Sequence, residues 1–394
     1  MPPVLPSWWK WLAPVLLGAV LAGVYAWRGG NHDRPGILGG QNSPKPSPPD
    51  IASATPKRLT GMTTARPPEQ PSDGTSNQAI NEMRQKFAER TEFAQRLQKE
   101  SGGDLLSRLV ALWSATGVAS PAPEEKALVM MALTRALHFG EASSNGAVYE
   151  QLGALLESNA LSLAAKLEVA SMLGSVQTPQ SVQLLLGEYQ KVTDSNLRES
   201  LGSAIARTGE NRWEGQIHED LSAPLEAAWP LAKDDPELAQ SLANGLAKVG
   251  TQTGVQLLVN EVLRSAQTIE DLSGLKDAQG QAAFLALEKV RNPNAIPALA
   301  AGLTKPDSSD LQRYVCGTSL AAMGKADATQ ALLRWAETAS DQEAVWAERW
   351  FGRMRDTGSF DLVATALSQT SAIKFNSPTV QTAVADGQRN RERQ

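Results

Sequence analysis

Residues 286–299 read Ala286-Leu287-Glu288-Lys289-Val290-Arg291-Asn292-Pro293-Asn294-Ala295-Ile296-Pro297-Ala298-Leu299. One helix stops inside this phrase and another starts. The run before it, QAAFLALEKV at 281–290, is built from strong helix formers. Asn292-Pro293 ends that run, because proline lacks an N–H and disfavours the α region for the residue before it. Pro297 then falls in the first turn of a new Ala/Leu-rich run, where a helix tolerates proline best. The phrase therefore predicts a helical hairpin with a tight polar turn.

The same punctuation recurs in both directions along the chain. Apolar helical runs end at Gly174, Gly209, Gly250, Arg291, Gly324 and Gly358, about 33–41 residues apart, where glycine supplies the left-handed residue of a C-cap. Each is followed by a second candidate helix: SVQLLLGEY, WEGQIHEDL, TGVQLLVNEVL, NAIPALAAGL, ATQALLRWA and FDLVATAL. Starts are marked by Ser120-Pro121 with Glu124 and Glu125 behind it, by Thr178-Pro179 and by Asp235-Pro236, a capping side chain followed by proline at the first helical position. Upstream, Asn77 to Glu100 places Ile80, Met83, Phe87, Ala94 and Leu97 on one helical face. No run of alternating β-branched residues intervenes. The expected fold is all-α, with about six hairpins in series stacking into a solenoid because one alone cannot bury its apolar face.

The phrase at 286–299 resembles the HEAT-like repeat of the phycobilisome-lyase type, in which a helix ends, a short Asp/Asn-Pro turn follows, and an Ala-Val/Ile-Pro-x-Leu helix begins. Asn292 stands where that family has an acidic turn residue, and the other repeats lack the proline pair. The resemblance covers roughly residues 160–370 and implies a HEAT-like α-solenoid. Tetratricopeptide arrays are the rival, but their Trp-Leu-Gly-Tyr signature is absent. The family's name also implies a lyase attaching a chromophore, for which the sequence offers no reactive residues.

Ahead of the helical part, Trp11 to Trp27 reads WLAPVLLGAVLAGVYAW without a charge. With Trp8 and Trp9 it approaches the length of a membrane span, and Lys10 can snorkel. Val24-Tyr25-Ala26 resembles a signal-peptide cleavage site. The aromatic residues at both ends, Trp8, Trp9 and Trp11 against Tyr25 and Trp27, instead suit an uncleaved anchor with interfacial belts. Between Arg28 and Ser76 lie nine prolines and few large apolar residues, a composition that cannot offset its ordering entropy. The expected organisation is an anchor at 1–27, a disordered Pro-rich linker at 28–76, an N-terminal helical region at 77–158, the repeat array at 159–370 and a disordered polar tail at 371–394. A short tail before the anchor favours a single-pass inner-membrane protein with its C-terminal domain periplasmic.

The 394 residues include three histidines and one cysteine and carry a net charge of −5, which excludes a disulfide framework, a Cys-rich zinc site and a nucleic-acid coat. His138 and His218 are expected at the surface or core edge of helices. GTSLAAMGK at 317–325 fails as a phosphate loop, because Ala326 stands where a Mg²⁺-binding hydroxyl is needed. Cys316 is expected buried in a helix. No catalytic, cofactor or metal site is expected, and the chain reads as a non-enzyme. With aromatics at 5% of the chain, Trp346 and Trp350, four apart with Arg349 and Arg353 beside them, are the candidate partner-binding face. The alternative for these tryptophans is closure of the terminal repeat's core.

The resulting expectation is a membrane-tethered scaffold whose solenoid binds a partner protein of the cell envelope. The alternative is a folding helper, since anchor, Pro-rich stretch and helical domain in this order resemble the membrane-bound lipase-specific foldases. Their Phe-Asp-Tyr motif is missing, and SAIARTGE at 203–210 echoes only its end.

Overall fold

The computed structural model describes residues 73–114, 123–210, 213–354 and 374–392. Sixteen α-helices account for most of them, with no strand among the described residues. In chain order they are α1 (Asp73–Leu97), α2 (Gly102–Ser114), α3 (Pro123–Phe139), α4 (Ala142–Glu157), α5 (Leu163–Val176), α6 (Pro179–Lys191), α7 (Ser195–Ala206) and α8 (Ser222–Ala228). There follow α9 (Pro236–Val249), α10 (Gln252–Ser265), α11 (Ala278–Leu287), α12 (Ile296–Thr304), α13 (Asp310–Met323), α14 (Ala326–Thr338), α15 (Ala344–Arg353) and α16 (Pro378–Glu392).

The helices start where short polar side chains cap them. Ser162, Thr178, Asp194, Asp235, Thr251, Asp277 and Ser309 each accept a hydrogen bond from a backbone N–H of the first turn, supplying one partner to the four orphan donors of a helix start. At Thr178 the bond is reciprocated by Ser181, closing a capping box ahead of Pro179. Gly250 (φ 62°) and Gly324 (φ 61°) end α9 and α13 in the left-handed conformation, as the spacing of glycines predicts.

Packing follows a repeating rule. Each odd-numbered helix from α1 to α15 lies against the next odd one, each even-numbered helix from α2 to α14 against the next even one, and most neighbours in sequence also pair across the two layers. This is a repeat-like, two-layered all-helical arrangement compatible with a solenoid. A single apolar cluster runs between the layers from Leu97 to Val384, dominated by Leu, Ala and Val; small alanines let facing helices approach closely.

Among the polar groups this packing covers are carbonyls near the ends of the odd-layer helices, and side chains from neighbouring segments reach them. Asn145 Nδ2 donates to Leu137 O at 3.1 Å, Trp213 Nε1 to Ser175 O at 3.2 Å, and Gln177 Nε2 to Arg207 O at 3.3 Å. Asn292 Nδ2 donates to Val249 O at 2.7 Å and Ser319 Oγ to Leu287 O at 2.8 Å. A buried carbonyl without a partner costs about 1–3 kcal/mol, so these side chains remove a penalty that the fold would otherwise create at successive helix ends.

Four expectations need correction. The stretch WEGQIHEDL is not the second helix of its hairpin: residues 213–221 form two short 3₁₀ turns with Glu214 and Gly215 at positive φ, and the paired helix is α8, starting at Ser222. Gly174 does not stop its helix; α5 runs to Val176 and Gln177 takes the left-handed position, while a Cβ on Gly174 would stand 2.9 Å from Ala204 Cβ. Residues 73–76, assigned above to the linker, belong to α1. Within the tail expected to be disordered, Pro378–Glu392 form α16, which packs on α15 and buries Val380, Ala383 and Val384, an apolar stripe spaced three and four apart that its polar composition hides. The anchor at 1–27, the linker to residue 72, Ser120-Pro121, FDLVATAL and Gly358 lie outside the described residues. No helix among the described residues is long and apolar enough to cross a membrane.

Candidate functional site

The four residues singled out in the sequence sit on α15, the last turns of a succession α11, α13, α15 in the odd layer. Trp350 is 1% exposed and fills the space between α13 and α15. Its ring centroid lies 4.8 Å from that of Trp335 and 6.2 Å from that of Tyr314, and its Nε1 donates to Thr318 Oγ1 at 3.1 Å. An indole of this size has room because residue 317 is glycine: a Cβ there would lie 2.2 Å from the ring, a distance no packing tolerates. Trp346 is half-buried beside it, 6.0 Å from Tyr314 and 6.2 Å from Trp350. Arg349 and Arg353 are exposed.

These side chains border a groove of about 280 Å³. Its floor is aromatic, made by Phe284 of α11, Tyr314 of α13 and Trp350 of α15; Ile269 and Leu272, from the link between α10 and α11, form a half-buried apolar wall. Arg349 and Arg353 stand on the α15 edge and Glu288 on the α11 edge. The Arg349 guanidinium donates to the Tyr314 hydroxyl and lies 5.8 Å from its ring centroid, an arrangement that orients it without neutralising it. Neither Arg349 nor Arg353 has a carboxylate partner among the described residues, whereas Arg90, Arg108, Arg198, Arg264, Arg313 and Arg389 all do. Three of the four sequence-selected residues thus line one groove, and Trp346 props its floor from the side. Phe284, Tyr314, Glu288 and the 269–272 wall were invisible in the sequence, because they come from separate elements.

A second hollow, of about 510 Å³, lies at the starts of α8, α10 and α12. Its polar groups satisfy one another: Thr253 Oγ1 donates to Glu226 Oε1 at 2.7 Å, and Asn294 Nδ2 donates to Glu219. The fold also joins two histidines that are distant in sequence. His138 and His218 have ring centroids 4.9 Å apart, and Trp213 stacks on His138 at 4.9 Å. His138 Nδ1–H donates to Val176 O at 2.7 Å. Burial lowers the His138 pKa below its ordinary 6.5 against the pull of the Val176 carbonyl, and the neighbouring His218 adds to the lowering. His218 lies in the 207–221 link rather than in a helix, with its Nε2 buried and unpartnered. Cys316 is 1% exposed, and burial pushes its thiol up to about 12, so it behaves as a small apolar side chain. Among the described residues no group of three or more His, Cys, Asp or Glu is placed to hold a metal ion.

No protein-family model matches this sequence, and no curated protein matches it. The groove itself therefore carries the functional reading.

Proposed function

We propose that this chain is a membrane-tethered protein-binding scaffold, in which a HEAT-like helical solenoid holds a partner protein of the cell envelope. The observation that carries this reading is the groove across α11, α13 and α15, which combines an aromatic floor with two unneutralised arginines. Surface enriched in Trp, Tyr and Arg around an apolar pocket is the composition of an interaction hot spot. At about 280 Å³ the groove lies just below the range of roughly 300–1,000 Å³ that small ligands and cofactors fill, and suits an anchoring side chain presented by another protein. The apolar Trp11–Trp27 segment with its aromatic ends supports a single-pass anchor in the inner membrane, and the Pro-rich stretch after it a tether to a periplasmic domain.

The test is in-cell crosslinking of the full-length chain followed by mass spectrometry, with protease access in spheroplasts to fix the topology. The expected result is one dominant envelope protein crosslinked through residues of the groove. Capture of only chaperones and the chain itself would overturn the scaffold reading, and a protease-resistant domain in spheroplasts would overturn the periplasmic placement.

A further inference from the structure

We propose that the groove on α11, α13 and α15 recognises an extended acidic segment of a partner protein: one aromatic or large aliphatic side chain set over Trp350 and Tyr314, with carboxylates meeting Arg349 and Arg353. This rests on the scaffold reading and adds the chemistry of what the scaffold holds.

Charge placement is the first argument. Arg349 and Arg353 are one turn apart on α15 and both exposed. Like charges at that spacing oppose each other by a few tenths of a kcal/mol in an isolated helix. The chain is acidic, at a net −5, and pairs Arg90, Arg108, Arg198, Arg264, Arg313 and Arg389 with carboxylates of its own; several other arginines lack such a partner among the described residues, but only Arg349 and Arg353 line the aromatic-floored groove. The two at this rim are paired with none among the described residues, so an arriving anion would relieve the repulsion. Tyr314 holds the Arg349 guanidinium through hydrogen bond and ring while leaving other N–H donors of its planar fork open, so ordering of that side chain precedes binding.

Spacing is the second. Side chains four apart on a helix stand about 5–6 Å apart, and alternate side chains of an extended peptide lie on one face about 6.5–7 Å apart. Carboxylates at alternate positions of an extended segment therefore reach the two guanidinia together, each able to take the bidentate geometry that makes arginine–carboxylate pairs strong. Glu288 on the α11 edge repels an anion at the other side, so the charged end of the segment is directed to α15. The apolar floor between the two edges favours a peptide over a free anion, because a peptide supplies an apolar side chain a few ångströms from its carboxylates.

The experiment uses the full-length protein and short fluorescein-labelled peptides in which one phenylalanine is followed by alternating aspartate and serine, or by lysine and serine. Anisotropy titration at low salt should show saturable binding of the aspartate peptide that weakens as salt is raised. The Arg349→Ala/Arg353→Ala variant should lose about tenfold or more in affinity, and Arg349→Glu/Arg353→Glu should prefer the lysine peptide. Equal binding of the two peptides, or indifference to the double alanine variant, would overturn the proposal. Arg-dependent binding to phosphatidylglycerol vesicles without binding of the aspartate peptide would overturn it in favour of a lipid surface. A photocrosslinker at the exposed Ser273 on the groove wall, used in living cells, separates this inference from the one beneath it. A saturable protein crosslink with no acidic preference leaves the scaffold and sinks the acidic segment; no protein crosslink there or elsewhere on the array sinks both.

Discussion

The middle of the array and its C-terminal end use the same frame and fill it differently. α9 and α13 are both 14 residues long, both start on an acidic or hydroxyl cap, Asp235 or Ser309, and both end on a left-handed glycine. Counting back seven residues from that glycine gives Ala243 in α9 and Gly317 in α13. The next odd helix after α9, α11, packs against it and buries the small side chains Ala282, Ala283 and Ala286. Around Gly317 the next odd helix, α15, inserts Trp350, and the groove opens beside it. A hydrogen in place of a methyl at Gly317 of α13 makes room for the α15 indole, beside which the groove with its aromatic floor lies.

The largest expected effect of breaking that contrast is at Trp350. Trp350→Ala removes a fully buried indole, with a cost of about 3–5 kcal/mol. Because each repeat touches only its neighbours, the loss should be local: amide exchange in 310–353 should accelerate while that in 163–206 changes little. Uniform acceleration across both stretches would refute the nearest-neighbour reading. Next, Gly317→Ala should destabilise by about 1–3 kcal/mol through overpacking, seen as a lower urea midpoint. The reverse exchange in the middle, Ala243→Gly, should cost about 1 kcal/mol from helix propensity with little change in the end repeat. If Gly317→Ala is silent while Trp350→Ala is not, the glycine is not what admits the ring.

A fourth change tests the carbonyl-capping side chains shared by both regions. Asn292 is fully buried, donates to Val249 O and accepts from Asn294 N at 2.9 Å; Asn292→Ala should cost about 1–3 kcal/mol in chemical denaturation. The smallest effect is expected from pH. His138 titrates below its ordinary 6.5 in the folded chain, so as pH falls through that value the unfolded chain binds more protons and stability drops; above about pH 7.5 both states are neutral and the dependence is flat. The melting temperature should therefore be lower at about pH 5.5 than at 7.5, and His138→Gln, which keeps a donor for Val176 O, should reduce the difference. An unchanged difference would place the pH dependence elsewhere.

Much of the frame was legible in local chemistry. Thr178-Pro179 and Asp235-Pro236 marked helix starts, and Gly250 and Gly324 marked ends, because capping and left-handed backbone depend on residues within one turn. The misreadings have the opposite character. Gly174 looked like a stop, yet it serves a close approach to Ala204 from another helix. Trp213 and His218 looked helical, yet their link folds back over the ends of α3 and α5 through contacts to His138 and Ser175. The α16 helix looked like a polar tail because its buried stripe of Val380, Ala383 and Val384 is narrow.

The sequence by itself determined that the described residues between 77 and 354 are mainly a series of capped, amphipathic helices, that no disulfide framework or Cys-rich zinc site holds the chain, and that an aromatic and basic cluster lies near its end. Periodicity, capping and composition act over a few residues and can be read from the order of the letters. Tertiary structure alone decided that Arg349 and Arg353 share a groove with Phe284, Tyr314 and Glu288, that Gly317 makes room for Trp350, and that His138 meets His218. Those relations depend on which helices stack, which is fixed by the summed burial of many small side chains along two layers and by no single residue's neighbours in sequence.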